Sequence, residues 1–297
     1  MDYIRTFTRE FDTGEPVDLV LENRAGAVSV RGEDTQRTRI EVVAHLWAET
    51  EDEADDQAEL ISRGIRRDGK RIVVRAPALL RPHPFLFFAR SPRIDYTITV
   101  PHRCSATITS RSGRVEVERI RGALEVNARS GRIAVQEIDG DARLISRSGS
   151  VQAESIAGSL LAESRSGSVR VGRCKGSAQV VARSGSVQVE DVGGNLEVQT
   201  RSGSTGIADA GGEVRVSAMS GSFRYEGPVR GSFDIDLMSG SAKLALDPDS
   251  VFFLDAETIS GSVRSDLPVR GKASAPPKDA PTVRVRTRSG SIVLAPR

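Results

Sequence analysis

Ser112-Gly113-Arg114-Val115-Glu116-Val117-Glu118-Arg119-Ile120-Arg121-Gly122-Ala123-Leu124-Glu125-Val126-Asn127-Ala128-Arg129 is one copy of a pattern that governs most of the chain. Its Ser-Gly pair recurs at Ser130, Ser148, Ser166, Ser184, Ser202 and Ser220, always 18 residues on. A second glycine keeps the same beat at Gly122, Gly140, Gly158, Gly176, Gly194 and Gly212. A fixed short period marks a solenoid, in which each repeat is one coil stacked on its neighbours. Within the copy, Val115 and Val117 alternate with charged residues up to Ile120, and Leu124, Val126 and Ala128 alternate after Gly122. Alternation of period two reads as strand, and the glycines between the runs supply the turns.

Stacking the copies aligns the apolar positions into columns. One runs Val115, Ile133, Val151, Val169, Val187, another Val126, Leu144, Ala162, Val180, Val198. The reading is an all-β, parallel β-helix (β-solenoid) of about 18 residues per coil. Hexapeptide helices would need an aliphatic residue every six positions, and calcium-binding nonapeptide repeats would need Gly-Gly-x-Gly-x-Asp. Neither pattern is present. Continuing the inward parity of Ala128 through Ser130 predicts an internal serine ladder at the Ser-Gly corner.

The 38% hydrophobic and 4% aromatic residues suit a thin aliphatic core. Residues 1–100 hold 15 Lys/Arg against 18 Asp/Glu, and the remainder 27 against 22, a balance that predicts no specific nucleic-acid binding. Cys104 and Cys174 are too few for a disulfide framework, and Cys174 falls in the column of Ile120, Ile138 and Ile156. The opening Met-Asp-Tyr-Ile-Arg has no apolar signal region, so the expected location is cytoplasmic, with the cell envelope as the alternative.

The chain is expected to form one continuous solenoid. Residues 1–100 hold degenerate coils, with Ala25-Gly26 in the Ser-Gly position. Thr50-Glu51-Asp52-Glu53 is a capping box that opens one short helix near the N-terminus, about 51–64, read as a cover for that end. Strands are expected at 40–46, 71–75 and 95–100. Between the last two lies a hydrophobic loop, 78–92, whose Phe85, Leu86, Phe87 and Phe88 either close the core or contact a partner or lipid surface. Residues 101–297 form the regular β-helix. There the period loosens to 19, 21 and 29 residues, Phe223, Tyr225, Phe233, Phe252 and Phe253 enlarge the core, and 274–282 is an inserted loop before the last coil.

Asn23-Arg24-Ala25-Gly26-Ala27-Val28, the strand Asp95-Tyr96-Thr97-Ile98-Thr99-Val100-Pro101 and the recurring Ser-Gly-x-Val-x-Val coils resemble the bacterial putative-adhesin family of β-strand-repeat proteins, related to auto-transporter adhesin heads. The resemblance covers the chain from about Leu19 onward. It implies a right-handed parallel β-helix linked to the cell envelope, and it carries no catalytic motif.

No nucleophile elbow, phosphate loop or zinc motif is present, and His45, His83 and His102 lack metal-ligand spacing. The expectation is therefore a non-catalytic binding or scaffold protein with no cofactor and no metal. A self-assembling structural solenoid and a polysaccharide-acting β-helix enzyme are the alternatives. One outward column stands apart: Arg111, Arg129, Arg147, Arg165, Arg183 and Arg201 share a position in six consecutive repeats. Stacked guanidiniums repel unless they lie flat on each other, meet carboxylates or bind anions. The partner this suggests is an anionic polysaccharide or a lipid surface; self-association is the other expectation.

Overall fold

The computed structural model describes residues 1–75, 92–267 and 280–297. It divides into two compact units, Met1–Arg147 and Ser148–Arg297. The fold is an all-β solenoid with one helix among the described residues. Each 18-residue repeat becomes two strands, such as Val115–Ile120 and Leu124–Ser130, which enter two different sheets. Successive coils pair in parallel and in register, so that Ile133 lies on Val115, Val187 on Val169 and Leu196 on Ala178. The apolar columns form the core: Val115, Ile133, Val126, Leu144, Ala162, Val180 and Val198 are all buried. Cys174 is buried on Ile156 in the second unit, as Ile138 is on Ile120 in the first, and Cys104 is buried as well.

The Ser-Gly turn holds the register. Its glycines sit at φ values from +111° to +153°, where a side chain is strained. They also stack. A Cβ on Gly131 would lie 2.0 Å from the carbonyl oxygen of Gly113, and one on Gly203 would lie 2.0 Å from that of Gly185. At some of the turns side-chain donors inside the coil hold these glycine carbonyls. The Oγ of Ser164 donates to Gly149 O at 3.2 Å, and Nδ2 of Asn23 donates to Gly26 O at 3.2 Å.

Three expectations need correction here. The Ser-Gly serines are not internal: Ser112, Ser148, Ser166, Ser184 and Ser220 are exposed and Ser130 and Ser202 half-buried. The alternation stops where the glycine swings the chain into the other sheet, so the inner hydroxyls lie two residues earlier, at Ser110, Ser146, Ser164 and Thr200. Nor is the last coil in sequence the last in space. Thr282–Ser289 pairs with Phe233–Ser239 on one side and Phe253–Ser260 on the other, and Ile292–Pro296 lies between Ala242–Leu246 and Val263–Ser265. The inserted coil brings Val283, Val285, Ile292 and Leu294, all fully buried, whereas the displaced coil lacks such a set and takes the tip. Phe252 and Phe253 are accordingly half-buried instead of core, although Phe223, Tyr225 and Phe233 are buried.

The first unit is threaded in the same way. Val17–Ala25 lies between Arg71–Arg75 and Cys104–Ser112, and Val28–Glu33 between Arg93–Pro101 and Val115–Ile120. The helix is Glu51–Arg63. Thr50 Oγ1 accepts from the Glu53 amide, and the Glu53 carboxylate accepts from the amide of Glu49. A strand with no counterpart in the sequence reading, Asp2–Asp12, pairs antiparallel with Arg37–Trp47. Its Tyr3, Arg5, Phe7, Arg9 and Phe11 share the face of the buried Leu46, Ala44, Val42, Ile40 and Thr38. Arg5 there meets Glu51 and Asp55 of the helix. Charges on the inner face of an edge strand oppose the addition of another strand. Residues 78–91, with Phe85, Leu86, Phe87 and Phe88, lie outside the described residues, as does 274–279 of the expected second loop, while Thr282 already belongs to a strand.

The turn geometry makes two alanine substitutions behave oppositely. Gly203→Ala places a Cβ against the Gly185 carbonyl at φ +129°, and should cost about 3 kcal/mol through strain and overpacking. Gly206→Ala, one strand on, meets nothing within 4 Å and should stay within about 0.5 kcal/mol of the parent. Denaturant unfolding of the two variants checks both values.

Candidate functional site

The arginine column stands at the last outward position before the Ser-Gly turn, and the strand register sets its spacing. In the first unit, Ala128 lies on Ser110 and Ser130 on Ser112, which places Arg129 beside Arg111. Asn23 on Ser110 and Ala25 on Ser112 place Arg24 on the other side of Arg111. Arg147 holds the same position in the strand Ala142–Ser148. In the second unit, the pairs Ser164 on Ala182 and Ser166 on Ser184 set Arg165 beside Arg183, and the next pair of strands sets Arg183 beside Arg201. Neighbours in each row are therefore about 4.8 Å apart at the backbone. All of them are exposed.

Among the described residues this column differs from Arg119, Arg121, Arg143, Arg170 and Arg173 on the same coils in having no carboxylate partner. Elsewhere the coils match guanidinium with carboxylate one coil away. Arg119 meets Glu137 at 3.4 Å, Arg121 meets Asp139 at 3.6 Å, and Arg143 meets Glu125 at 4.0 Å. In the second unit Arg173 meets Asp191 at 3.8 Å and Arg170 meets Glu190 at 3.9 Å. Among the described residues, none of Arg24, Arg111, Arg129, Arg147, Arg165, Arg183 and Arg201 forms an ion pair with a carboxylate. Two like charges 4 Å apart repel by about 1 kcal/mol even in water. A row of them is thus a surface short of counter-charge. Serine hydroxyls border it at the turn: Ser202 Oγ donates to Arg183 O and Ser220 Oγ to Arg201 O, both at 3.3 Å.

Sequence reasoning found six of these arginines and missed Arg24. The signal was present, since Asn23-Arg24-Ala25-Gly26 occupies the same corner. The continuation of the row beyond Arg201 was missed too. Met219, Met238, Arg288 and Ile259 extend it, in that spatial order, and all are exposed.

The histidines are dispersed. Nε2 of His45 stands 3.8 Å from Asp95, Nδ1 of His102 contacts Arg119 O at 3.1 Å, and His83 lies outside the described residues. No group of three or more His, Cys, Asp or Glu side chains among the described residues could hold a metal ion. No helix among them is long and apolar enough to cross a membrane.

Residues 148–294 match the family model described as Toastrack DUF4097. Over those residues the chain is similar to a Toastrack domain. That domain is a β-solenoid, and it includes Arg165, Arg183, Arg201 and the apolar continuation of the row. Two solved structures are similar. A putative adhesin from Bacteroides fragilis shares 12% identity at a TM-score of 0.44, over 98% of this chain and 97% of that one. A putative cell adhesion protein from Clostridium sporogenes shares 11% identity at a TM-score of 0.22, over the full length of both. No curated protein sequence matches the chain.

The buried thiols give a test of the core beside the site. Burial raises the Cys174 thiol and pushes that of Cys104 up to about 12. The fold therefore favours the protonated form. Its contribution is complete below the unfolded thiol value of about 8.5 and is lost as pH rises from there towards the folded value. Neither thiol should react with Ellman's reagent at pH 8 in the native protein, and both should react in guanidinium. Stability should begin to fall above about pH 8.5 in a denaturant titration.

Proposed function

We propose that this protein is a non-catalytic, adhesin-like binding scaffold whose arginine column takes up repeated anionic groups of an envelope component or an anionic polymer. One observation carries the reading: among the described residues the column has no carboxylate partners, while arginines such as Arg119, Arg121 and Arg173 on other outward positions of the same coils have them. Coils that match charge so regularly elsewhere leave this row uncompensated. Anions arriving at about the coil spacing relieve its repulsion, and each guanidinium offers a planar pair of donors suited to carboxylate or phosphate. The neighbouring Ser-Gly-Ser turns add hydroxyls along the same edge.

Binding of this kind releases counterions and weakens steeply with salt. Retention on immobilised heparin should fall for Arg165→Gln/Arg183→Gln/Arg201→Gln, with a salt slope shallower by about 2 to 3. The melting temperature should change little, because exposed charges contribute little to stability. Arg170→Gln/Arg173→Gln, which removes two paired arginines of the same unit, should leave retention unchanged. Equal retention of the triple variant and the parent would show that the column is repeat geometry alone.

A further inference from the structure

Within the second unit the column changes chemistry without leaving its line. Thr200 lies on Ala218 and Ser202 on Ser220, so Met219 stands beside Arg201. The next pairings place Met238 beside Met219, Arg288 beside Met238, and Ile259 beside Arg288 at the tip coil. Met219 is 46% exposed, Met238 48% and Ile259 80%. Met219 and Met238 occupy an outward position of strands whose inner positions bury Val214, Val216, Phe233 and Ile235, and Ile259 holds the same position on the tip strand Phe253–Ser260. The core has no use for them. Exposed large apolar side chains aligned along one edge, here with Arg288 between Met238 and Ile259, mark a contact surface.

We infer that this row, from Arg165 to Ile259, docks the second unit on an anionic lipid surface. Arg165, Arg183, Arg201 and Arg288 would meet headgroup phosphates, while Met219, Met238 and Ile259 enter the boundary with the acyl chains. The inference rests on the reading of the column as an anion contact and adds the chemistry of the partner.

Charge complementarity and the change of residue type select a lipid surface over a free polymer. A polymer with one charge per repeat would be met best by an arginine in every coil, and three of the seven positions of this row would give it nothing to bind. A membrane interface offers phosphates and hydrocarbon side by side, the pair of chemistries the row presents. The row itself holds no acidic residue. Glu163, Asp236 and Glu257 stand two residues before it on the same outward face, so the contact is the edge at the turn and not the flat of the sheet.

Sedimentation of the full chain with vesicles tests this. Equimolar phosphatidylglycerol and phosphatidylcholine should bind the parent at low salt, and pure phosphatidylcholine should not. Met219→Ser/Met238→Ser/Ile259→Ser should reduce binding to the anionic vesicles by about tenfold or more while keeping heparin retention and the melting temperature. Arg165→Gln/Arg183→Gln/Arg201→Gln should reduce both. Heparin retention without vesicle binding would identify a soluble polyanion as the partner and overturn the lipid inference, leaving the anion reading intact. Unchanged vesicle binding by the serine variant would overturn it as well. Loss of neither activity in the arginine variant would remove both readings.

Discussion

A row of glycines with no room for a side chain is the constraint on which everything else hangs. At each Ser-Gly turn the glycine takes a φ that L side chains rarely adopt, and its Cα presses on the glycine carbonyl of the adjacent coil. Gly240, Gly290 and Gly261 obey the rule in spatial order even though their sequence order differs. Because neither a larger residue nor a slipped register fits, one residue per coil is fixed at a common height. Its neighbours are fixed with it. Before the turn, Asn23, Ser164, Thr258 and Thr287 reach a glycine carbonyl from inside the coil, and the outward residue next to each is placed by the same register.

That placement has an electrostatic consequence. A column of identical cations is unfavourable by itself, yet the turn allows no coil to turn its arginine away. Other columns resolve the same conflict by alternating sign from coil to coil, as Arg119 with Glu137 and Arg173 with Asp191 do. The turn column does not. Its uncompensated charge comes from the residues that occupy an imposed geometry, and the geometry is indifferent to them, as Met219 and Met238 on the same line demonstrate. Rigid turns therefore supply the spacing, and the residue chosen at one position supplies the chemistry.

Much of this was readable from the chain. Period and alternation gave the coils, the core columns and the burial of Cys174, because each repeat has the same local reasons for its shape. Thr50 and Glu53 marked the start of the helix through capping chemistry that acts over four residues. The features that escaped depend on longer range or on turn geometry. The parity of Ser130 changes because a positive φ interrupts the alternation. The order of the terminal coils was invisible because every coil offers similar edges, and Ser289 finds Ser239 fifty residues earlier as well as Ser260. The strand Asp2–Asp12 was hidden by Arg5 and Arg9 on its inner face. Met219 was in plain view before Ser220-Gly221, but a column traced by residue type ends where the type changes.

On the proposed reading, the turn column carries charge that the fold does not need and an anion satisfies. Thermal unfolding of the parent and of Arg183→Gln at low salt, with and without inorganic polyphosphate, tests this most directly. Without polyphosphate the variant should melt at the same temperature as the parent or slightly above it, since one repelling charge is gone. With polyphosphate the parent should gain more than the variant, as linkage requires of a ligand that binds the native row. A variant that melts well below the parent without ligand, and then gains equally with it, would contradict the account.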